Sequence, residues 1–219
     1  MAEKKLMCLP EGIRILDAGA GQLRNKPLCQ HLDYVSQDFC QYGGEASGAP
    51  EVGLQNKKWD TSRIDLVCDI LSIPEFDESY DCMLCSEVLE HVPEPEAVLT
   101  EFKRLLKPGG ILILTAPFSS NVHQAPYFYV SGFSRYWYEY HLKKRGFAIH
   151  ELSANGDWYS LLLQEISRLG GLEKSKGVRI WPLAYCLALL SHVYFKIRSK
   201  KSRARDLACF GWHCVAVKL

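Results

Sequence analysis

Short apolar runs recur through the first half of the chain, each closed by an acid or a glycine. Ile13-Arg14-Ile15-Leu16 leads into Asp17-Ala18-Gly19-Ala20-Gly21, Tyr34-Val35-Ser36-Gln37 ends at Asp38, and Ile64-Asp65-Leu66-Val67-Cys68 ends at Asp69. Runs of this length, bounded by turn residues, predict strands. Tyr80 to Cys85 is apolar nearly throughout, as expected of a strand covered on both faces, and Ile111 to Leu114 is a fifth such run. Between these two, Val98, Phe102, Leu105 and Leu106 fall at helical spacing over Glu96 to Leu106. Pro93 with acidic neighbours marks that helix's start, and Lys107-Pro108-Gly109-Gly110 marks its end. Leu23 to Leu32 is expected to carry an earlier helix, Gly43 to Lys58 a loop, and Pro74 to Ser79 a turn. This alternation predicts an α/β fold with a Rossmann-like, mostly parallel sheet and helices on both faces.

After Pro117 the rhythm changes. Tyr127 to Tyr140 is dense in aromatics, Trp137 to Lys144 reads as helix, Phe147 to Leu152 as a sixth strand and Trp212 to Val217 as a seventh. Between the last two strands, at about 156–210, a helical insertion is expected within a single domain of 219 residues. Its first helix covers Trp158 to Leu169. Its second, Pro182 to Ile197, is apolar nearly all round and meets the basic residues Lys196, Arg198, Lys200, Lys201, Arg203 and Arg205. The apolar part is shorter than the ~20 residues of a membrane span. A buried helix, a cover over a ligand, a peripheral membrane contact and a dimer contact all remain open for it.

Composition changes this picture little. A hydrophobic fraction of 47% and a charged fraction of 23% suit a globular chain. The net charge of +1 gives no broad electrostatic reason to expect nucleic acid. Of nine cysteines only Cys82 and Cys85 have CxxC spacing, inside a strand, so reduced core thiols of a cytoplasmic protein are expected, and no metal. Met1 to Leu6 lacks the apolar core of a signal peptide.

In an open parallel sheet ligands bind outside the carboxyl ends of the strands, near the switch point. Gly19 and Gly21, Asp38, Asp69 and Ser86-Glu87 would then face one crevice. Bare glycine backbone lets a ligand approach closely, and a carboxylate after the second strand can accept two hydrogen bonds from ribose hydroxyls. Two histidines, His91 and His123, fall near strand ends on the same side.

The order and spacing of these pieces resemble the class I S-adenosylmethionine-dependent methyltransferases, in the small-molecule group of methyltransferase type 11. The residues that carry the resemblance are Ile15 to Gly21, Asp38, Asp69-Ile70, Ser86-Glu87-Val88-Leu89-Glu90-His91-Val92 and Leu105 to Gly110. It covers residues 13–155, and Trp212 to Leu219 fits the family's antiparallel last strand. The resemblance implies that Ala18, Gly19 and Gly21 face the methionine part of the cofactor, with Asp17 beneath ordering the turn. It implies that Asp38 holds the ribose, Phe39 lies against the adenine, Asp69 and Ile70 meet the adenine edge, and Ser86 and Glu87 line the pocket near the transferred methyl. Many members carry a further glycine where this chain has Leu23.

A sulfonium methyl is already activated, so alignment and exclusion of water are the main requirements, with a base needed only for a hydroxyl acceptor. His123 is one candidate base or acceptor-orienting group. His91, more suited to shaping the pocket, is the other. Tyr127, Tyr129 and Tyr136 are the candidate acceptor wall, with Phe133 and Trp137 expected to pack on the sheet edge. Ala116-Pro117-Phe118 and Gly132 to Trp137 resemble a subset found in bacterial polysaccharide and secondary-metabolite settings, which implies an oxygen or nitrogen of a sugar-like or secondary-metabolite acceptor. Three rival readings stand beside this one. A nicotinamide dehydrogenase would ordinarily show GxGxxG, where this chain has Arg24. A nucleic-acid amino-methyltransferase would carry a Pro-Pro-aromatic motif after the fourth strand. The last is a non-catalytic module that keeps the cofactor fold for binding or scaffolding.

Overall fold

A computed structural model describes residues 2–43, 59–176, 182–199, 205 and 207–219. The strands are β1 (Arg14–Ala18), β2 (Asp33–Asp38), β3 (Leu66–Val67), β4 (Tyr80–Ser86), β5 (Leu106–Pro117), β6 (Phe147–Asn155) and β7 (Gly211–Lys218). They form one sheet in the order β3-β2-β1-β4-β5-β7-β6. The pairs β3/β2, β2/β1, β1/β4 and β4/β5 are parallel, and the last strands add antiparallel pairing. The chain order reverses between β1 and β4, which opens a crevice at their carboxyl ends.

Alternation along the buried strands sends side chains to both faces. Leu6, from the six-residue helix α1 (Ala2–Met7), and Leu9 pack with Ile15, Cys82, Leu84 and Ile113. Helix α2 (Pro95–Leu105) buries Val98, Leu99, Phe102 and Leu105, the stripe its sequence spacing predicts. Helix α3 (Arg135–Lys144) starts at Ser134, whose hydroxyl accepts from the Trp137 amide, an N-cap. Phe133 is buried against the half-buried Trp137, their ring centroids 4.7 Å apart. Cys82 and Cys85 are fully buried, and three positions apart on one strand they project to opposite faces, which rules out a shared ligand. Burial raises both thiol pKa values well above the ordinary range.

Three element expectations need correction. Leu23 to Leu32 contains only a single 3-10 turn, Lys26–Cys29, because Leu23 sits at φ +58° and Pro27 cannot donate to a longer helix. The third strand shrinks from six residues to Leu66–Val67, an edge paired only to β2. The fifth lengthens to Leu106–Pro117, with Tyr80 opposite Leu106 and Cys82 opposite Ile111, so Lys107–Gly110 bulges out of the ladder. Most of the expected Gly43–Lys58 loop lies outside the described residues.

The chain forms two compact units: residues 1–153 with 212–219, and residues 154–211. In the second, α4 (Trp158–Lys176) and α5 (Pro182–Ser199) pack on one another. Asp157 begins α4 by accepting from the Ser160 amide at 2.9 Å and hydroxyl at 2.7 Å. At the base of the unit the Phe210 amide donates to the Asn155 carbonyl at 2.8 Å. Among the described residues no helix is long and apolar enough to cross a membrane.

Candidate functional site

The turn after β1 is built by main-chain bonding to β2. The amides of Gly19 and Ala20 both donate to the Gln37 carbonyl, at 2.8 and 2.9 Å. The Gln37 side chain accepts from the Gly19 amide through Oε1 and donates to the Cys68 carbonyl at 2.7 Å through Nε2, joining three strand ends. Gly19 (φ +75°) and Gly21 (φ +51°) take conformations that side chains avoid. A Cβ on Gly19 would come within 2.4 Å of the Val88 side chain, and one on Gly21 within 2.7 Å of the Trp59 ring.

Asp38, the last residue of β2, is 6% exposed. One of its oxygens accepts from the Gly21 amide at 2.9 Å and the other from the Cys40 amide at 2.8 Å. Each oxygen keeps further lone-pair capacity, and Asp38 lines the cleft. The residue expected to hold a ribose therefore also holds the glycine turn. Asp17 lies buried beneath that turn, accepting from the Tyr34 hydroxyl at 2.6 Å and the Asn25 amide at 3.2 Å. Burial raises its carboxyl to about 6 against these bonds.

A cleft of about 430 Å³ opens beside this turn. Gly19, Asp38, Phe39, Asp69, Ile70 and Glu87 line it, as do His91, Tyr127 and Tyr129. The Phe39 and Tyr127 rings meet edge to face at 4.9 Å. Asp69 spends one oxygen on the Leu71 amide at 2.9 Å. Glu87 has φ +55° and accepts from the Thr115 hydroxyl at 2.8 Å. That hydroxyl's only proton is thereby used, so Ser86 donates to Thr115 across 2.9 Å. Ala18, Gly21 and Ser86 are not among the lining residues, and neither is Tyr136, on α3 and 71% exposed.

Residues 118–134 supply the aromatic side of the cleft and are sewn to the rest by backbone. The Phe133 amide donates to the Pro117 carbonyl and the Ser120 amide to the Ser131 carbonyl, closing the segment at its base. The Tyr129 and Val130 amides both donate to the Glu90 carbonyl. His91 donates from Nδ1 to the Tyr127 carbonyl. This leaves its Nε2 buried without a partner, 3.8 Å from Glu90. Neither nitrogen of His91 is open to the cleft, and its ring forms part of the wall.

Glu90, not among the residues expected from sequence, is 1% exposed, with Oε2 lacking a partner. Burial, with the Glu87 carboxylate adding to it, raises the Glu90 carboxyl to about 8. Burial lowers His91 to about 4, aided by His123 and opposed by the Tyr127 carbonyl. His123 donates from Nδ1 to the Asn121 carbonyl at 2.9 Å and turns Nε2 toward Glu90 at 3.9 Å. One oxygen of Glu90 and one nitrogen of each imidazole thus lie within 4.8 Å of one another. At neutral pH the group holds a proton on Glu90 beside a neutral His91, and its donor types also suit a divalent cation.

Trp59, Val88 and Gln37 join the expected residues through packing that spacing does not report. Trp59 follows a polar stretch with no periodicity, and Gln37 reads as an ordinary strand residue until its side chain is seen to span two turns.

Residues 16–114 match the family model described as a methyltransferase domain. The ubiquinone biosynthesis O-methyltransferase of Xanthomonas oryzae is 32% identical over 114 residues, which are 48% of this chain and 43% of that protein. Its counterpart in a Bradyrhizobium species is 31% identical over 112 residues, 51% of this chain and 42% of that protein. The chain spans less than half the length of these curated relatives. Among solved structures the cyclase SpnF superposes with a TM-score of 0.58 at 22% identity, over 99% of this chain and 78% of that one. Phosphoethanolamine N-methyltransferase 2 of Haemonchus contortus, solved with phosphomonomethylethanolamine and S-adenosylhomocysteine, gives 0.53 at 18%, over 98% and 51%. The methyltransferase-domain match over residues 16–114 and the strand order of the sheet together make this chain similar to the class I S-adenosylmethionine-dependent methyltransferases.

Proposed function

We propose that the protein transfers a methyl group from S-adenosylmethionine to an oxygen of a small-molecule acceptor. The observation that carries this is the cleft at the carboxyl ends of β1, β2 and β4, where a glycine turn and the Asp38 and Asp69 carboxylates share one space with Phe39, Tyr127 and Tyr129. Its volume is within the usual range for small-ligand sites, roughly 300–1,000 Å³. Of the two turn glycines Gly19 lines the cleft, its Cβ position taken up by the Val88 side chain. When bound, S-adenosylmethionine supplies a methyl already activated on sulfonium.

The chain's own residues then bind and orient. Asp38 would accept the ribose hydroxyls with the lone pairs its two backbone bonds leave, Phe39 would lie against the adenine, and Asp69 and Ile70 would meet its edge. Tyr127 and Tyr129 hold the acceptor ring and exclude water. The names of the curated relatives favour oxygen over nitrogen as the acceptor atom. A sugar-like or aromatic secondary-metabolite acceptor suits the aromatic wall.

The test is thermal unfolding with S-adenosylmethionine, S-adenosylhomocysteine and NAD. A specific ligand stabilises by RT ln(1 + [L]/Kd). The first two should raise the melting temperature and NAD should leave it unchanged; a rise with NAD alone would overturn the assignment.

A further inference from the structure

Among its described side chains, helix α5 leaves most of its large aliphatic residues exposed. Ala188, Ser191, His192 and Phe195, at the i, i+3, i+4, i+7 spacing of one face, are partly covered. Phe195 of this face meets Tyr159 of α4, ring centroids 6.0 Å apart. The opposite face carries Leu189, Leu190, Val193, Tyr194 and Ile197, all between 53 and 67% exposed. A helix that leaves Leu, Val and Ile in solvent on one face has apolar surface to offer something outside the chain.

Charge selects among the occupants. From Lys196 to Arg205 the sequence places six cations, and no acid occurs between Pro182 and Arg205. Lys196 and Arg198 lie exposed at the carboxyl end of the apolar face. The face is too short and too interrupted to cross a bilayer. It has the composition of an element that lies in an interface, with aliphatic side chains among the acyl chains and cations among anionic headgroups. A second copy would bring one such run of six cations against another, with no acid on either helix to offset them.

We infer that α5 docks the protein on an anionic lipid surface through Leu189, Leu190, Val193, Tyr194 and Ile197, with Lys196 and Arg198 at the headgroups.

Flotation of the full chain with vesicles tests this, comparing phosphatidylcholine alone with phosphatidylcholine containing a third phosphatidylglycerol. The protein is expected to float with the anionic vesicles, to remain in solution with the neutral ones, and to be released by high salt. Leu190→Glu with Val193→Glu is expected to abolish flotation. Both side chains are exposed, so an unchanged melting temperature is expected to show that the fold is intact. Lys196→Gln with Lys200→Gln and Lys201→Gln leaves the apolar face whole and should weaken partitioning about fivefold per cation removed. Three outcomes overturn the inference: no flotation with either vesicle, equal flotation with both, or a dimer in ultracentrifugation that the Leu190→Glu, Val193→Glu chain cannot form.

Discussion

Leu23 holds a left-handed backbone, φ +58°, although its side chain is buried at 7% exposure. A glycine would adopt that conformation without strain, whereas other residues lose about 1–3 kcal/mol there. Leu23→Gly and Leu23→Ala should both destabilise, since each removes buried apolar surface. The glycine variant should nevertheless be the more stable by about 1 kcal/mol in urea unfolding, despite having the smaller side chain. Asp17 offers a second residue-scale test. Its carboxyl titrates near 3.8 when unfolded and at about 6 when folded. The unfolded chain therefore releases the proton first, and stability falls as pH rises from about 4 to 6, by about 2 kcal/mol. Asp17→Asn should lack this decline when unfolding is followed across that window; a slope parallel to the parent's would show that Asp17 does not cause it. For Asp38, loss of charged hydrogen bonds predicts that Asp38→Ala weakens S-adenosylhomocysteine binding by about 1–3 kcal/mol in calorimetry. Because the same carboxylate holds the Gly21 and Cys40 amides, Asp38→Ala should also lower the melting temperature of the ligand-free protein.

At the scale of elements, α2 is fastened to the turn before β4 by one side chain. The Arg104 guanidinium donates to Glu101 and Asp77, at 2.7 Å each, and to the carbonyls of Glu75 and Ile73, at 2.8 and 2.9 Å. A lysine cannot reproduce that planar fork. Arg104→Ala should cost about 1–3 kcal/mol in thermal unfolding, and Arg104→Lys should recover little of it. The apolar stripe of α2 and the buried runs of β1, β4 and β5 were legible in the sequence because each follows the period of its own backbone. The stretch 23–32 was not. Its apolar residues allow a helix, yet the turn it completes demands φ > 0 at Leu23, and the tertiary requirement overrides local preference. The segment 118–134 was recognisable as aromatic, but its seating on Glu90 and His91 depends on bonds from its main chain to a distant part of the chain.

On the scale of the molecule, every side chain lining the cleft comes from residues 1–153. Asn155 and Phe210 are already hydrogen-bonded, so a short glycine-serine link can replace residues 157–208 without stretching the chain. That shortened protein should unfold cooperatively and bind S-adenosylhomocysteine with comparable affinity; loss of binding would show that residues 157–208 complete the site. What the sequence determined by itself was the sheet, the glycine turn and the acids at the strand ends, because burial periodicity and positive φ leave direct marks on residue type. Folding alone decided that Asp38 braces the turn it serves, that Gln37 spans two turns, and that Trp59 closes over Gly21. It alone gathered Glu90, His91 and His123 around a buried proton and set the apolar face of α5 outward. These are properties of juxtaposition. They arise when residues far apart in the chain share one low-dielectric space or are left without one, and no local pattern records that outcome.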